Sequence, residues 1–215
     1  QWSALNQSTF VIGPQKLVIT ELHYHPDDPS QDELNAGFDN ADEFEFIEFH
    51  NPGLTAFSLK GVQIIDGVTF DFTHSGMTHI PAGGFALVVS NPAAFELRYG
   101  NELSVAGEYT GQFSNSGERV ELINENKRTI VGFTYGVENP WSKEADGLGP
   151  SLEKRMTDSD PDLPENWRSS SVRGGTPGHV LNSSGVRIQK ISIEKGLLQI
   201  QLDAESRHIY SLFVS

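Results

Sequence analysis

Turn signals recur at short intervals along this chain, and the runs between them are short and rich in β-branched and aromatic residues. The first run covers residues 16–24 and stops at Pro26; the second covers residues 43–50 and ends on Asn51-Pro52-Gly53. Residues 62–65 turn through Asp66-Gly67 into residues 68–72, and an Asp-Gly between apolar runs supplies the positive φ angles of a type I′ hairpin. Pro81-Ala82-Gly83-Gly84 opens an alternating run over 85–90, and Asn124-Glu125-Asn126-Lys127 separates 117–123 from 129–135. Only Pro92–Tyr99 reads as a helix, with Pro at its start, Gly100 after its end, and Phe95 and Tyr99 on one face. About eight or nine short strands with one short helix predict an all-β chain folded as an antiparallel sandwich. The 13 Phe, 5 Tyr and 3 Trp residues supply its core.

Beyond this block the stretch from Gly174-Gly175-Thr176-Pro177-Gly178 to Asn182-Ser183-Ser184-Gly185 reads as a linker. Residues 186–193, 197–202 and 209–214 alternate cleanly and predict a short C-terminal β-meander. Three strands alone are marginal, so this meander either docks or begins a further domain. The expected division is 1–15 as the last strand of a preceding module or a linker, 16–182 as the main domain, and 183–215 as the strand segment. The first residue is Gln and no signal-peptide pattern follows, which reads as an excised or processed piece.

Charge narrows the function classes. A net charge of −14 argues against binding a nucleic-acid backbone, where each neutralised phosphate needs a cation. The absence of cysteine excludes disulfides, thiolate metal sites and thiol catalysis. No apolar run approaches the ~18 residues of a membrane-spanning helix. The acids are unevenly placed: residues 17–59 carry ten Asp or Glu and no Lys or Arg.

Several motifs together resemble one family, the lamin tail domain in its bacterial extracellular form. They are Val18-Ile19-Thr20-Glu21-Leu22-His23-Tyr24-His25-Pro26, then Glu43-Phe44-Glu45-Phe46-Ile47-Glu48-Phe49-His50-Asn51-Pro52, then Ile80-Pro81-Ala82-Gly83-Gly84-Phe85. Ser114-Asn115-Ser116-Gly117-Glu118-Arg119-Val120, Asp146-Gly147-Leu148-Gly149-Pro150, Asn166-Trp167-Arg168 and Gly175-Thr176-Pro177-Gly178 follow in order, so that the resemblance spans about residues 17–182. It implies an Ig-like β-sandwich and a non-catalytic role. The stretch from Trp2 to Ile12 is similar to the last strand of a chitobiase C-terminal-type Ig-like module, which implies a large multidomain parent.

Candidate chemistry is sparse. Glu48 shares a strand face with Phe44 and Phe46, so its carboxylate needs a buried partner, and Arg119 and Arg168 are the candidates. A structural ion pair is expected there rather than a catalytic acid. The acidic stretch 27–43 offers hard oxygens for Ca²⁺, most densely at Asp39, Asp42 and Glu43. Asp158, Asp160 and Asp162 have alternate spacing but lack the glycine and closing glutamate of an EF-hand loop. Solvated acidic surface is the competing reading for both runs. His23, His25 and His50 make a three-histidine zinc site conceivable, against surface histidines as the alternative. Trp141 and Trp167 would serve either as a sugar-stacking platform or as hydrophobic anchors.

The expected function is therefore that of a non-catalytic interaction or spacing module of a secreted or cell-surface bacterial protein. Its partners would be proteins or neighbouring domains of the same chain, with calcium as the only cofactor suggested. The alternative is a carbohydrate-binding module that holds polysaccharide beside an extracellular enzyme.

Overall fold

A computed structural model describes residues 16–179 together with the strands Arg187–Glu194 and Leu197–Asp203. The strand expected within residues 2–12, the linker residues 180–186 and the strand expected at 209–214 lie outside the described residues.

In chain order the domain begins with β1 (Val18–His23), helix α1 (Gln31–Asn35), β2 (Phe46–His50), β3 (Phe57–Ser58), β4 (Gln63–Asp66) and β5 (Phe70–Asp71). It continues with β6 (His79–Ile80), β7 (Phe85–Val89), helix α2 (Pro92–Tyr99), β8 (Val105–Glu108), β9 (Arg119–Ile123) and β10 (Thr129–Thr134). β11 (Pro150–Lys154) and β12 (Trp167–Arg173) complete it, and β13 (Arg187–Glu194) pairs with β14 (Leu197–Asp203). A six-stranded sheet runs β12-β11-β1-β2-β7-β8 and a four-stranded sheet runs β10-β9-β4-β5; β3 and β6 form a small ribbon.

The all-β sandwich expected from the sequence is the fold observed. Its one parallel neighbour pair in the large sheet is β7 with β8, because α2 carries the chain back along the sheet before β8 begins. α2 starts where expected: the Asn91 side chain accepts from the Ala93 and Ala94 N–H groups, Pro92 occupies the first turn and Gly100 follows. The Asp66-Gly67 turn differs from the two-residue hairpin predicted. Ile64 pairs with Phe70, which leaves a five-residue connection in which only Gly67 has positive φ, at 79°.

Strand β2 explains how the large sheet is used. All five of its residues are buried, since both faces of the sheet are covered. Ile47 and Phe49 point inward with Ile19, Leu22, Val88 and Leu152, meeting Ile64, Val120, Leu122 and Phe133 of the small sheet in the main core. Phe46 points outward with Leu87 and Val89, and α2 lays Phe95 and Tyr99 over them. Val105 of β8 adds to this outer cluster, and Thr20, Glu21, Glu48 and Glu153 make the neighbouring part of the outer face polar.

Strand β1 carries a bulge between Ile19 and Glu21. Ile19 and Leu22 both belong to the main core, so the alternation changes phase between them and Thr20 and Glu21 both turn outward. That change of phase places a carboxylate in the middle of the outer face.

Candidate functional site

The register of the large sheet sets five residues in one row across five strands. Leu87 of β7 stands opposite Glu48 of β2, Glu48 opposite Glu21 of β1, Glu21 opposite Glu153 of β11, and Glu153 opposite Arg168 of β12. Three glutamates thus lie side by side on the outer face, each 0–1% exposed.

The segment 174–179 is a strap laid over this row. The Thr176 N–H donates to Glu21 Oε1 at 2.8 Å, Thr176 Oγ1 donates to Glu153 Oε1 at 2.7 Å, and the Gly178 N–H donates to Glu48 Oε2. From the sheet itself, Ser151 Oγ donates to Glu21 Oε1 and Thr20 Oγ1 donates to Glu48 Oε1 at 2.6 Å. Tyr99 of α2 ties down the start of the strap by donating to the Gly174 carbonyl at 2.7 Å. A salt bridge of 3.3 Å joins Arg168 Nε to Glu153 Oε2.

Burial pushes Glu21 up to about 8, with the neighbouring Glu48 charge as the next contribution. Burial likewise pushes Glu48 up to about 7, against the hydrogen bonds from Thr20 and Gly178, which favour its ionised form. Another buried carboxyl, Glu45, sits just before β2 outside this row and is pushed up to about 8 by burial. It accepts from Tyr109 OH at 2.6 Å and from the Phe113 N–H at 3.2 Å, while its Oε1 has no partner.

The expected ion pair at Glu48 is not formed. Arg168 lies three strands away and holds Glu153 instead, and Arg119 lies on the small sheet, where it contacts Glu121 at 3.2 Å and Asp66 at 4.0 Å. Phe44 does not share the strand with Glu48 either: it ends a 3-10 turn, Ala41–Phe44, and lies beneath the guanidinium of Arg98, 3.5 Å from its ring centre. Arg98 also donates twice to Glu33, at 2.6 and 3.0 Å.

The acidic stretch 27–43 is folded rather than an open loop. Ser30 and Glu33 close a capping box at α1, and Asn40 and Glu43 close another at the 3-10 turn. Glu43 also accepts from Asn91 at 3.0 Å, Asp42 accepts from Gln112, and Asp39 is exposed. Asp160 accepts the Asp162 N–H in a local turn, Asp162 accepts the Thr134 N–H at 3.3 Å, and Asp158 is exposed. Among the described residues, no group of three His, Asp or Glu side chains could hold a metal ion.

The three histidines have separate surroundings. His23 is buried, stacks on Phe46 at 5.5 Å, and has no hydrogen-bond partner at either ring nitrogen. His25 Nδ1 lies 2.7 Å from Asp146 Oδ1, and His50 stacks on Phe85 at 4.6 Å. Trp167 is 3% exposed, stacks on Phe133 at 4.4 Å and donates its indole N–H to the Pro161 carbonyl, so it offers no face to a sugar. Trp141 is half-buried against the main core beside Gly136.

Sequence reasoning missed Glu21, Glu153 and the strap as parts of one site. The motif Gly175-Thr176-Pro177-Gly178 was visible, but two of its three target strands, β1 and β2, lie more than a hundred residues earlier in the chain.

Two facing sheets with a short crossover helix, and a polar row sealed on the outer face, define an Ig-like β-sandwich domain. The family model of the lamin tail domain matches residues 12–137, and the chain belongs to that family, whose domain is generally a non-catalytic interaction module. The match takes in β1 to β10, hence Glu21 and Glu48, while Glu153, Arg168 and the strap lie past its end. No curated protein and no solved structure matches the chain.

Proposed function

We propose that this domain is a non-catalytic spacing and attachment module of a secreted or cell-surface bacterial protein, acting through contacts with proteins or with neighbouring domains of its own chain. The observation that carries this reading is the closure of the carboxylate row. Carboxyls pushed towards neutral pH are what an acid–base catalyst needs, but catalysis also needs substrate within hydrogen-bond reach. Glu21 Oε1 accepts from Ser151 and Thr176, the two Glu48 oxygens accept from Thr20 and Gly178, and the strap lies between both carboxyls and solvent. Leu54, 93% exposed just after Asn51-Pro52-Gly53, is an apolar contact point on the opposite terms: available and unengaged by the core.

A photo-crosslinking residue at Leu54 in the full-length protein on its native cells tests the reading. Crosslinks to a defined protein partner, with the domain removed by protease from intact cells, are the expected result. Turnover of a glycan or ester substrate that Glu48→Gln abolishes while the fold is retained would overturn it.

A further inference from the structure

The strap is anchored at its start by the Gly174 and Gly175 N–H groups, which donate to the Gly149 and Val172 carbonyls, and beyond that point its hydrogen bonds to the sheet end on the three carboxyls of the row: Thr176 holds Glu21 and Glu153, and Gly178 holds Glu48. Glu21 is the middle member, with a glutamate at the paired position on each side. Paired positions on neighbouring strands bring side chains to within about 5 Å. We propose that the strap is a pH-operated cover, closed while Glu21 and Glu48 carry protons and released when both ionise. This goes beyond the module reading and does not depend on it.

Charge balance carries the argument. A fully ionised row sets three negative charges side by side, and the cation in contact with it is Arg168, at the Glu153 end. The other groups facing the row bring no second charge into contact. His23 on β1 is held neutral by burial, and burial also holds the Tyr99 phenol of α2 in its neutral form. Arg98 of α2 is engaged by Glu33. His179 lies at the end of the strap itself and favours the charged form of Glu48 only while the strap is down.

The first ionisation tightens the cover, since an N–H donates more strongly to a carboxylate than to a neutral acid. The second falls on the neighbouring strand, against a charge already present and without water. Water reaches the row most cheaply through the strap, which is fastened there by three hydrogen bonds. The other walls are a six-stranded sheet and a helix packed on Phe46 and Leu87. The local opening therefore precedes global unfolding as pH rises.

Hydrogen exchange of the whole chain followed by mass spectrometry at pH 5.5, 7.0, 8.5 and 9.5, corrected for the intrinsic exchange rate, tests this. Protection at Thr176 and Gly178 is expected to fall by about tenfold or more across that range while β2 and β9 stay protected. The Glu21→Gln, Glu48→Gln double variant is expected to keep the strap protected throughout. If that variant does not fold, Glu48→Gln alone should move the loss to higher pH. Strap protection independent of pH in the natural sequence, a loss that persists unshifted in the variants, or a loss shared equally by β2 and β9 would each overturn the proposal.

Discussion

Gly175 crosses Glu21 with no room for a side chain: a β-carbon at position 175 would stand 2.0 Å from Glu21 Oε1 and 2.7 Å from Ser151 Oγ. The backbone at Gly175 also has φ of +89°, a conformation that L-residues with a β-carbon adopt only at a cost. Glycine is required here for two separate reasons. Gly175→Ala is expected to destabilise the domain by about 2–4 kcal/mol, through backbone strain together with the displaced Thr176–Glu21 hydrogen bond. Equilibrium urea unfolding of both proteins measures it, and an alanine variant within 0.5 kcal/mol of the parent would show that the strap does not bear on the row.

The buried glutamates set the alkaline side of stability. Glu21, Glu45 and Glu48 are pushed up from an ordinary value near 4.5 to about 8, about 8 and about 7. The folded chain thus holds protons that the unfolded chain has released, so the contribution of these three groups is full below 4.5 and declines as pH rises to 8. Each such group removes about 1.4 kcal/mol per pH unit within its own window, before coupling between neighbours is counted. Chemical denaturation at pH 5 and pH 9 is expected to give a midpoint lower at pH 9, equivalent to a few kcal/mol. Glu21→Gln should flatten that slope, and equal midpoints at the two pH values in the parent would contradict the burial argument.

The outward carboxylate at Glu48 was legible in the sequence because Phe46-Ile47-Glu48-Phe49 alternates through a strand buried on both faces. Its partner was not legible, because the donors come from Thr20 and Gly178, 28 and 130 residues away. Glu21 was hidden for a different reason. Simple alternation from Ile19 would turn Glu21 into the main core, and the bulge that turns it outward has no residue signature in Val18-Ile19-Thr20-Glu21. The acidic stretch was readable in principle, since Ser30-x-x-Glu33 and Asn40-x-x-Glu43 both match the capping-box spacing. Acid density alone drew attention to cation binding and away from helix ends.

The two tryptophans divide cleanly by burial. Trp167 lies flat on Phe133, with 14° between the rings, and its indole N–H is satisfied by Pro161. Trp167→Ala is expected to cost about 3–5 kcal/mol, the range for emptying a large aromatic site in a core. Trp141 is half-buried, so Trp141→Ala should cost about 1–2 kcal/mol. Unfolding midpoints of the two variants, measured side by side, decide the matter; equal costs would mean that Trp167 is not the anchor of the 161–167 turn.

Arg98 controls the acidic side of stability. Its guanidinium grips Glu33 with two hydrogen bonds and lies over Phe44, while Glu33 also accepts the Ser30 N–H at 2.7 Å to cap α1. These bonds, with that from Arg98 the largest, hold the Glu33 carboxyl down at about 2. The sign is opposite to that of Glu21: the folded chain keeps Glu33 ionised where the unfolded chain takes up a proton. The contribution is therefore present above 4.5 and is lost as pH falls towards 2. Removing the arginine leaves a buried carboxylate unpaired, and Arg98→Ala is expected to cost about 3–5 kcal/mol at pH 5. Arg98→Lys keeps the charge but loses the fork that matches a carboxylate, so it should recover only part of the loss. Stability of the three proteins measured from pH 2 to 6 checks this. The parent should lose stability steeply below pH 4.5 and the alanine variant much less, because its Glu33 returns towards the ordinary value; parallel curves would show that Arg98 does not set the charge state of Glu33.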